Sequence, residues 1–293
     1  MTSPIPFRRV AILGTGLIGG SFGLALRQEF PAISRVGFSH RGSAARALAR
    51  QAIDEVAPDI ASAVRLAVVV FLALPIGATI EALTAIAGCA EPHALVTDAG
   101  STKASICRIA REHFRGAALF LGGHPMAGKE QSGIEHADGE LFRGAPYVLM
   151  GNPATADLRA KNFEKLVRDI GARPVWCDPD THDWAVGIVS HLPQLVSVAL
   201  ARVLQDETDE TGLPLSLAGS GLPDMLRLAG SPYAIWRDIL LTNADNISRA
   251  LDRLAQAIDY LRTNLSSKDI EQEFAGANEL YRQLQASSRS SST

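Results

Sequence analysis

The feature that most constrains this chain is the run "VAILGTGLIGGSFG", in which Gly14, Gly16 and Gly19 close an apolar, strand-like stretch and open a helical one. A glycine at the first of these positions permits a tight turn. At the second it lets backbone approach a ligand, and at the third it lets helix and strand pack in contact. The helix beginning there presents unpaired N–H groups and the positive end of its dipole. GxGxxG alone is a weak signal. Between the first strand and first helix of a βαβ unit it points to a dinucleotide pyrophosphate. Thr15, Leu17 and Ile18 lie among the same glycines and share the expected cofactor contacts, as does Pro75 at the end of a later apolar run.

The same stretch has the outline of a secretory signal, because Arg8 and Arg9 precede seventeen uncharged residues. Gly14, Gly16, Gly19, Gly20 and Gly23 fall among them and no small-residue cleavage site follows, which favours the phosphate-loop reading. The run "LAVVVFLALPI" is too short to span a bilayer. A length of 293 residues suits two domains, and 47% hydrophobic with 20% charged residues describes a globular chain. A net charge of -3 and a pI near 6.2 offer no basic field for nucleic acid or anionic membrane. Cys89, Cys107 and Cys177 are scattered, and the histidines show no paired metal-ligand spacing, so neither a disulfide framework nor a metal is expected. A cytoplasmic setting follows.

From Val10 to about Trp176, apolar runs ("RVAIL", "RVGFS", "LAVVVFLA", "ALVTD", "AALFL", "PYVLM", "RPVWC") alternate with helix-length segments. The predicted helices are Gly20–Phe30, Ser43–Gln51, Ile76–Gly88, Thr102–Phe114 and Ala154–Ile170. That alternation predicts an α/β, Rossmann-type, doubly wound and mostly parallel sheet over residues 6–179. Residues 180–286 lose strand character and read as an all-α domain, with a disordered polar tail at 287–293. Ile247, Leu251, Leu254, Ile258 and Leu261 share one helical face, which suits either a core seam or a dimer interface.

Two features point to chemistry. The second strand should end in an acid gripping the adenine ribose of NAD, about 20 residues past the glycines. Ser39, His40 and Arg41 stand there instead, which favours the 2′-phosphate of NADP over NAD. "LGGHPMAGKEQSG" places His124 where a buried strand should empty into a loop beside the nicotinamide. A neutral imidazole there can take a proton from an alcohol as its carbon gives up hydride, with Ser101 as an orienting partner. Arg227 is either a surface cation or a bidentate clamp for a carboxylate, and Pro193 marks a helix irregularity beside "SHLPQ".

The ordered set "GTGLIGGS", "DAGSTK", "GGHPMAGKEQSG", "SHLP" and "DMLRLAGSPYAIWRDI" closely resembles the prephenate/arogenate dehydrogenase family of tyrosine biosynthesis, over nearly the whole chain. The resemblance implies oxidation of a cyclohexadienol by hydride transfer to a nicotinamide, with loss of the ring carboxylate as carbon dioxide. On the matching positions it implies His124 as the catalytic histidine, Ser101 beside it, and Arg227 holding the carboxylate. It likewise implies Glu130, Ser190, His191 and Trp236 around the pocket, and a C-terminal dimerisation domain giving a homodimer. Gln194 departs from the histidine many relatives carry, and Lys129 also faces the expected side-chain end. Arogenate carries an ammonium that Glu130 could pair, an advantage Lys129 could offset; the resemblance implies arogenate over prephenate because NADP-using members of the family often prefer it. The alternatives are an NAD-dependent prephenate dehydrogenase, a β-hydroxyacid-type dehydrogenase, and a non-catalytic NADP-binding regulator. Those β-hydroxyacid enzymes rely on a lysine in the helical half, which His124 with Arg227 fits poorly. The His124, Ser101 and Arg227 set counts against the regulator.

Overall fold

The computed structural model describes residues 7–290 apart from 40, 41, 117, 130, 209 and 210, with side chains as far as 286. Six parallel strands form the main sheet: β1 (Arg9–Leu13), β2 (Ser34–Phe38), β3 (Glu55–Val56), β4 (Val69–Leu72), β5 (Leu95–Asp98) and β6 (Leu119–Leu121). Their order is β3-β2-β1-β4-β5-β6, so strand order reverses beside β1, and the glycine loop leaves the sheet at that switch point. Val10 and Ile12 of β1 face one apolar cluster while Ala11 and Leu13 face another. This double burial explains why the strands read as unbroken apolar runs.

On the first face α1 (Leu17–Glu29) packs with α6 (Leu158–Asp169), and Phe22 of α1 stacks on Phe71 of β4 at a centroid distance of 4.1 Å. α2 (Ser43–Ala49) follows β2. The second face is covered by α3 (Ile60–Val64), α4 (Ile76–Cys89) and α5 (Ala104–His113). The sequence pattern did not reveal β3 or α3, because two- and five-residue elements carry too little periodicity.

The single sheet expected from the strand count divides in two. After β6 the chain breaks away at Gly122, and β7 (Gly123–Pro125) pairs antiparallel with β8 (Pro146–Met150), which pairs parallel with β9 (Arg173–Cys177). His124 therefore sits in a strand opposite Val148, not in the expected loop. The close approach explains the glycine pair. A Cβ on Gly122 would lie 2.7 Å from both Cys107 Sγ and Met150 Cγ, and one on Gly123 2.8 Å from the Asp98 carbonyl oxygen.

The remainder is helical among the described residues: α7 (Pro179–Val186), a π turn (Gly187–His191), α8 (Leu192–Glu207), α9 (Leu213–Ser216), α10 (Gly221–Leu226), a 3₁₀ turn (Arg227–Gly230), α11 (Tyr233–Thr242), α12 (Ala244–Thr263) and α13 (Ile270–Ser290). Pro193 has no N–H for the preceding turn, and the helix widens into the π turn just before it. The run Pro179–Glu207 is long and apolar enough to cross a membrane by length and composition. It also carries the buried polar side chains His182, Asp183, His191, Gln194 and Ser197. α13 continues to Ser290, into the segment expected to be disordered, since extending an existing helix costs far less than nucleating one. On α12 the apolar stripe is covered at Ile247 but exposed at Ile258 (54%).

Replacing Phe22 by alanine should cost about 3–5 kcal/mol, because its ring is fully buried against Phe71 and Phe163. Urea unfolding of the two proteins measures this, and a midpoint unchanged by the substitution would refute the packing account.

Candidate active site

Two clefts meet between the parallel sheet and the helices. The first, of about 550 Å³, is lined by Gly16, Leu17, Ile18, Pro75 and Gly100, among others. Gly14 turns with φ of 92°, and a Cβ on Gly19 would lie 1.8 Å from the Gly14 carbonyl oxygen. At Gly16 a Cβ would meet nothing within 4 Å, and no side chain caps the α1 N-terminus. An open N-terminal turn facing a cleft is what a pyrophosphate requires, so these residues fit a dinucleotide. Thr15 is buried within the turn. Gly14 N–H donates to the Phe38 carbonyl at 2.8 Å, bringing the end of β2 beside the loop. There Ser43 Oγ donates to Ser39 Oγ at 2.6 Å and lies 3.1 Å from Thr15 Oγ1. His40 and Arg41 lie outside the described residues.

The second cleft, of about 390 Å³, is lined by His124, Ser190, His191, Gln194, Arg227 and Trp236. Ser101, Gly128 and Lys129 border both clefts, so the two open into one another there. Glu130 lies outside the described residues. Lys129 Nζ reaches the His136 carbonyl at 3.2 Å and Asp138 Oδ2 at 3.4 Å. Trp236 Nε1–H donates to Ser231 Oγ at 3.0 Å, and its ring meets His191 edge-on at 5.8 Å.

His124 is 8% exposed, and its Nδ1 lies 2.9 Å from His182 Nε2. His182 Nδ1 in turn lies 2.7 Å from Asp183 Oδ1. A carboxylate only accepts, so His182 holds its proton on Nδ1 and offers the Nε2 lone pair. His124 then donates from Nδ1, which leaves its Nε2 unprotonated and basic in the cleft. Burial, then the proximity of His182, Lys103 and His191, holds the His124 pKa well below the ordinary 6.5. The imidazole is neutral at physiological pH, as a base must be.

The hydrogen-bond partner of His124 Nδ1 is therefore His182, where Ser101 was expected to orient the ring. Ser101 borders both clefts, but the His124 Nδ1 contact is taken by His182. Four further supports escaped the sequence reading. Lys103, fully buried, pairs with Asp98 and donates to the Gly123 carbonyl at 3.0 Å. Asp98 accepts from the N–H groups of Gly100 (2.9 Å) and Gly123 (3.2 Å). Asp183 accepts from Lys103 N–H at 2.7 Å and Ala104 N–H at 2.9 Å, capping α5. Asn243 donates to the Asp183 carbonyl at 2.8 Å and to His191 Nδ1 at 3.1 Å, leaving His191 Nε2–H as a donor. Asp98 and Lys103 lie inside the quoted "DAGSTK", and the local signal for the relay is the adjacent pair His182–Asp183.

Residues 22–176 match the family model for the prephenate dehydrogenase nucleotide-binding domain, and residues 178–284 match that for the prephenate dehydrogenase dimerization domain. The chain belongs to the prephenate dehydrogenase family. It is 33% identical to prephenate dehydrogenase of Bacillus subtilis (strain 168), over 90% of this chain and 72% of that one. The crystal structure of prephenate dehydrogenase from A. aeolicus, in complex with hydroxyphenyl propionate and NAD+, superposes with a TM-score of 0.86. It is 26% identical, over 96% of this chain and 99% of that one. Synechocystis arogenate dehydrogenase superposes with a TM-score of 0.78 at 31% identity, over 93% and 99% of the two chains. The chain is thus a dehydrogenase of the prephenate/arogenate type with a nucleotide-binding domain.

Two buried neutral histidines make stability fall in acid. The folded-state pKa of His191 is lowered to about 4, by burial first, while His124 lies well below 6.5. Above pH 6.5 neither state binds the proton. Below it the unfolded chain protonates both rings and the folded chain refuses, so each removes ~1.4 kcal/mol per pH unit. For His191 that loss levels off near pH 4. Urea midpoints should drop between pH 7.5 and 5.5, by less in His191→Gln. An equal drop in both proteins would contradict the assignment.

Proposed function

We propose that this chain oxidatively decarboxylates arogenate, and less readily prephenate, with hydride transfer to NADP, acting as a cytoplasmic homodimer. The observation that carries the reaction class is the Asp183–His182–His124 relay, whose basic end lines one cleft where it meets the glycine-loop cleft. Bound NADP supplies the hydride acceptor.

The chain's own residues then have defined tasks. Arg227 holds a substrate carboxylate, and Ser190, His191 and Gln194 offer polar contacts to the rest of the molecule. His124 Nε2 receives the ring hydroxyl and takes its proton as the adjacent C–H bond breaks. The developing imidazolium shares its charge through His182 with buried Asp183, as an acid-oriented histidine does in other relays. The C–C bond to the leaving carbon dioxide supplies the electron pair that completes the aromatic ring. His124 then returns the proton to the phenolate oxygen, so the proton count closes. Aromatisation drives the step, and positioning with one proton transfer is what the protein must supply.

Support for NADP comes from Ser39 at the position of the expected acid, hydrogen-bonded to Ser43 and through it to Thr15, with Arg41 two residues on in the sequence. Support for arogenate rests on Glu130 beside Lys129. A specific observation favours the second reading, prephenate. Among the described residues the substrate cleft has no carboxylate in its lining and two cations, Arg227 and Lys129, which suits a dicarboxylate. Homodimerisation is supported by the match to a dimerization domain and by the uncovered part of the α12 stripe. The division at residues 179–180 is proposed as the domain boundary.

Initial rates with each of NADP and NAD, paired with each of arogenate and prephenate, test the assignment. Turnover highest with arogenate and NADP is expected; preference for prephenate with NAD would replace both choices while keeping the chemistry. For the relay, His124→Asn should lower kcat by about 10²–10⁴, and His182→Phe by a smaller factor with cofactor binding retained. The acid limb of kcat/KM should lie below pH 6.5, following the depressed pKa of His124. A limb centred above pH 7, or full activity in His124→Asn, would remove His124 as the base.

A further inference from the structure

Helix α4 begins at the wall of the cofactor cleft and has no cap of its own. Its N-cap is Pro75, which makes no side-chain cap hydrogen bond, and its first turn holds no acidic residue. The missing partner comes from 161 residues away: Gly77 N–H donates to Asp238 Oδ2 of α11 at 2.9 Å. Asp238 is 9% exposed, and its other oxygen accepts from Arg237 Nε at 2.9 Å. The Gly77 N–H bond, then the Arg237 guanidinium, hold this carboxyl below the usual range, so it stays ionised against the positive end of α4.

α11 is fastened to the parallel-sheet half at two further points. Ile239 enters the apolar cluster of Leu13, Leu72 and Ile76. One turn beyond Asp238, Thr242 Oγ1 donates to the Asp238 carbonyl at 2.7 Å and lies 2.7 Å from Thr102 Oγ1. From Ile235 to Ile239 the helix walls both clefts. Ile235 and Ile239 border the two together, Trp236 faces the substrate cleft, and Asp238 lies beside Pro75 and Ile76 in the cofactor cleft. Whatever moves the Pro75–Gly77 turn therefore moves a wall of the substrate cleft.

From this geometry we infer that Asp238 is a positioning residue that couples cofactor binding to substrate binding, a role that rests on the two-cleft reading above. The coupling is reciprocal by thermodynamic necessity: a ligand that tightens one cleft through this bond tightens the other by the same factor.

Calorimetric titration of the full chain tests this without turnover. The dissociation constant of NADP is measured alone and with saturating hydroxyphenyl propionate, a product-like carboxylate. The wild type should bind NADP about fivefold or more tightly in its presence, the lower end of typical coupling. Asp238→Ala should bring that ratio close to one, whereas Asp238→Asn, which keeps an acceptor oxygen for Gly77 N–H, should recover most of it. Thr102→Val, which cuts only the second anchor, should reduce the ratio in part and gives a reading even if Asp238→Ala does not fold. A wild-type ratio of one, or an unchanged ratio in Asp238→Ala, overturns the inference. If Asp238→Ala does not fold, undiminished ratios in both Asp238→Asn and Thr102→Val overturn it as well. The rate measurements with the two substrates stand apart. A protein that turns over but shows no coupling keeps its function and loses this role for Asp238. One that shows coupling but no turnover keeps the latch and loses the reaction.

Discussion

The ion pair of Lys103 and Asp98, both without solvent exposure, is the contact on which the site depends. Two charges so deeply buried are tolerable only when their remaining hydrogen-bonding capacity is used. Here it is: Asp98 takes the N–H groups of Gly100 and Gly123, and Lys103 adds the Gly123 carbonyl. The two bonds to Gly123 fasten the end of β5 to the first residue of β7, and the Gly100 bond holds the Asp98 carboxylate in place. His124 follows directly, so its imidazole is held by backbone and not by loop packing. Removing either charge alone leaves the other buried and uncompensated, a loss of about 3–5 kcal/mol.

A second pattern appears along the carboxyl edge of the parallel sheet, where α1, α4 and α5 begin. All three lack a side-chain cap from their own N-cap residue. The helical half supplies acids to two of them: Asp183 of α7 to α5 and Asp238 of α11 to α4. Among the described residues no acid from the helical half reaches the first turn of α1, and that turn borders the cofactor cleft. Orphan N–H groups and a positive dipole end favour an acceptor. The two halves of the chain are thus joined through the termini not reserved for phosphate. Asp183 does this while holding His182, so one carboxylate serves both the docking of the halves and the orientation of the His182–His124 pair.

The helical half is otherwise sparsely covered in one chain. Leu241, Leu265, Phe274 and Tyr281 are exposed, as are Ile258 and Leu261 of the α12 stripe. Apolar area on this scale is seldom left to water, and the segment from 178 to 284 matches a dimerization domain. Along the α12 stripe Ile247 is packed inside the chain while Ile258 is exposed.

The sequence by itself determined the nucleotide-binding half, because its signals are local. Glycine spacing, doubly buried strands and helix-length intervals each act over a few residues, and the main strands and helices fall close to where those signals placed them. His124 stood out for the same reason, as an unusual residue in a recognisable segment, whereas Arg227, Ser190 and His191 were singled out by the family resemblance and not by a local signal. What only the tertiary structure decided were the partners across the chain: His182 behind His124, Asp183 on α5, Asp238 on α4, and the departure of β7 into a second sheet. These pairings join residues roughly 60 to 160 positions apart. No local pattern encodes them, because an acidic residue in a helix looks the same whether it faces water or the uncapped end of a distant helix.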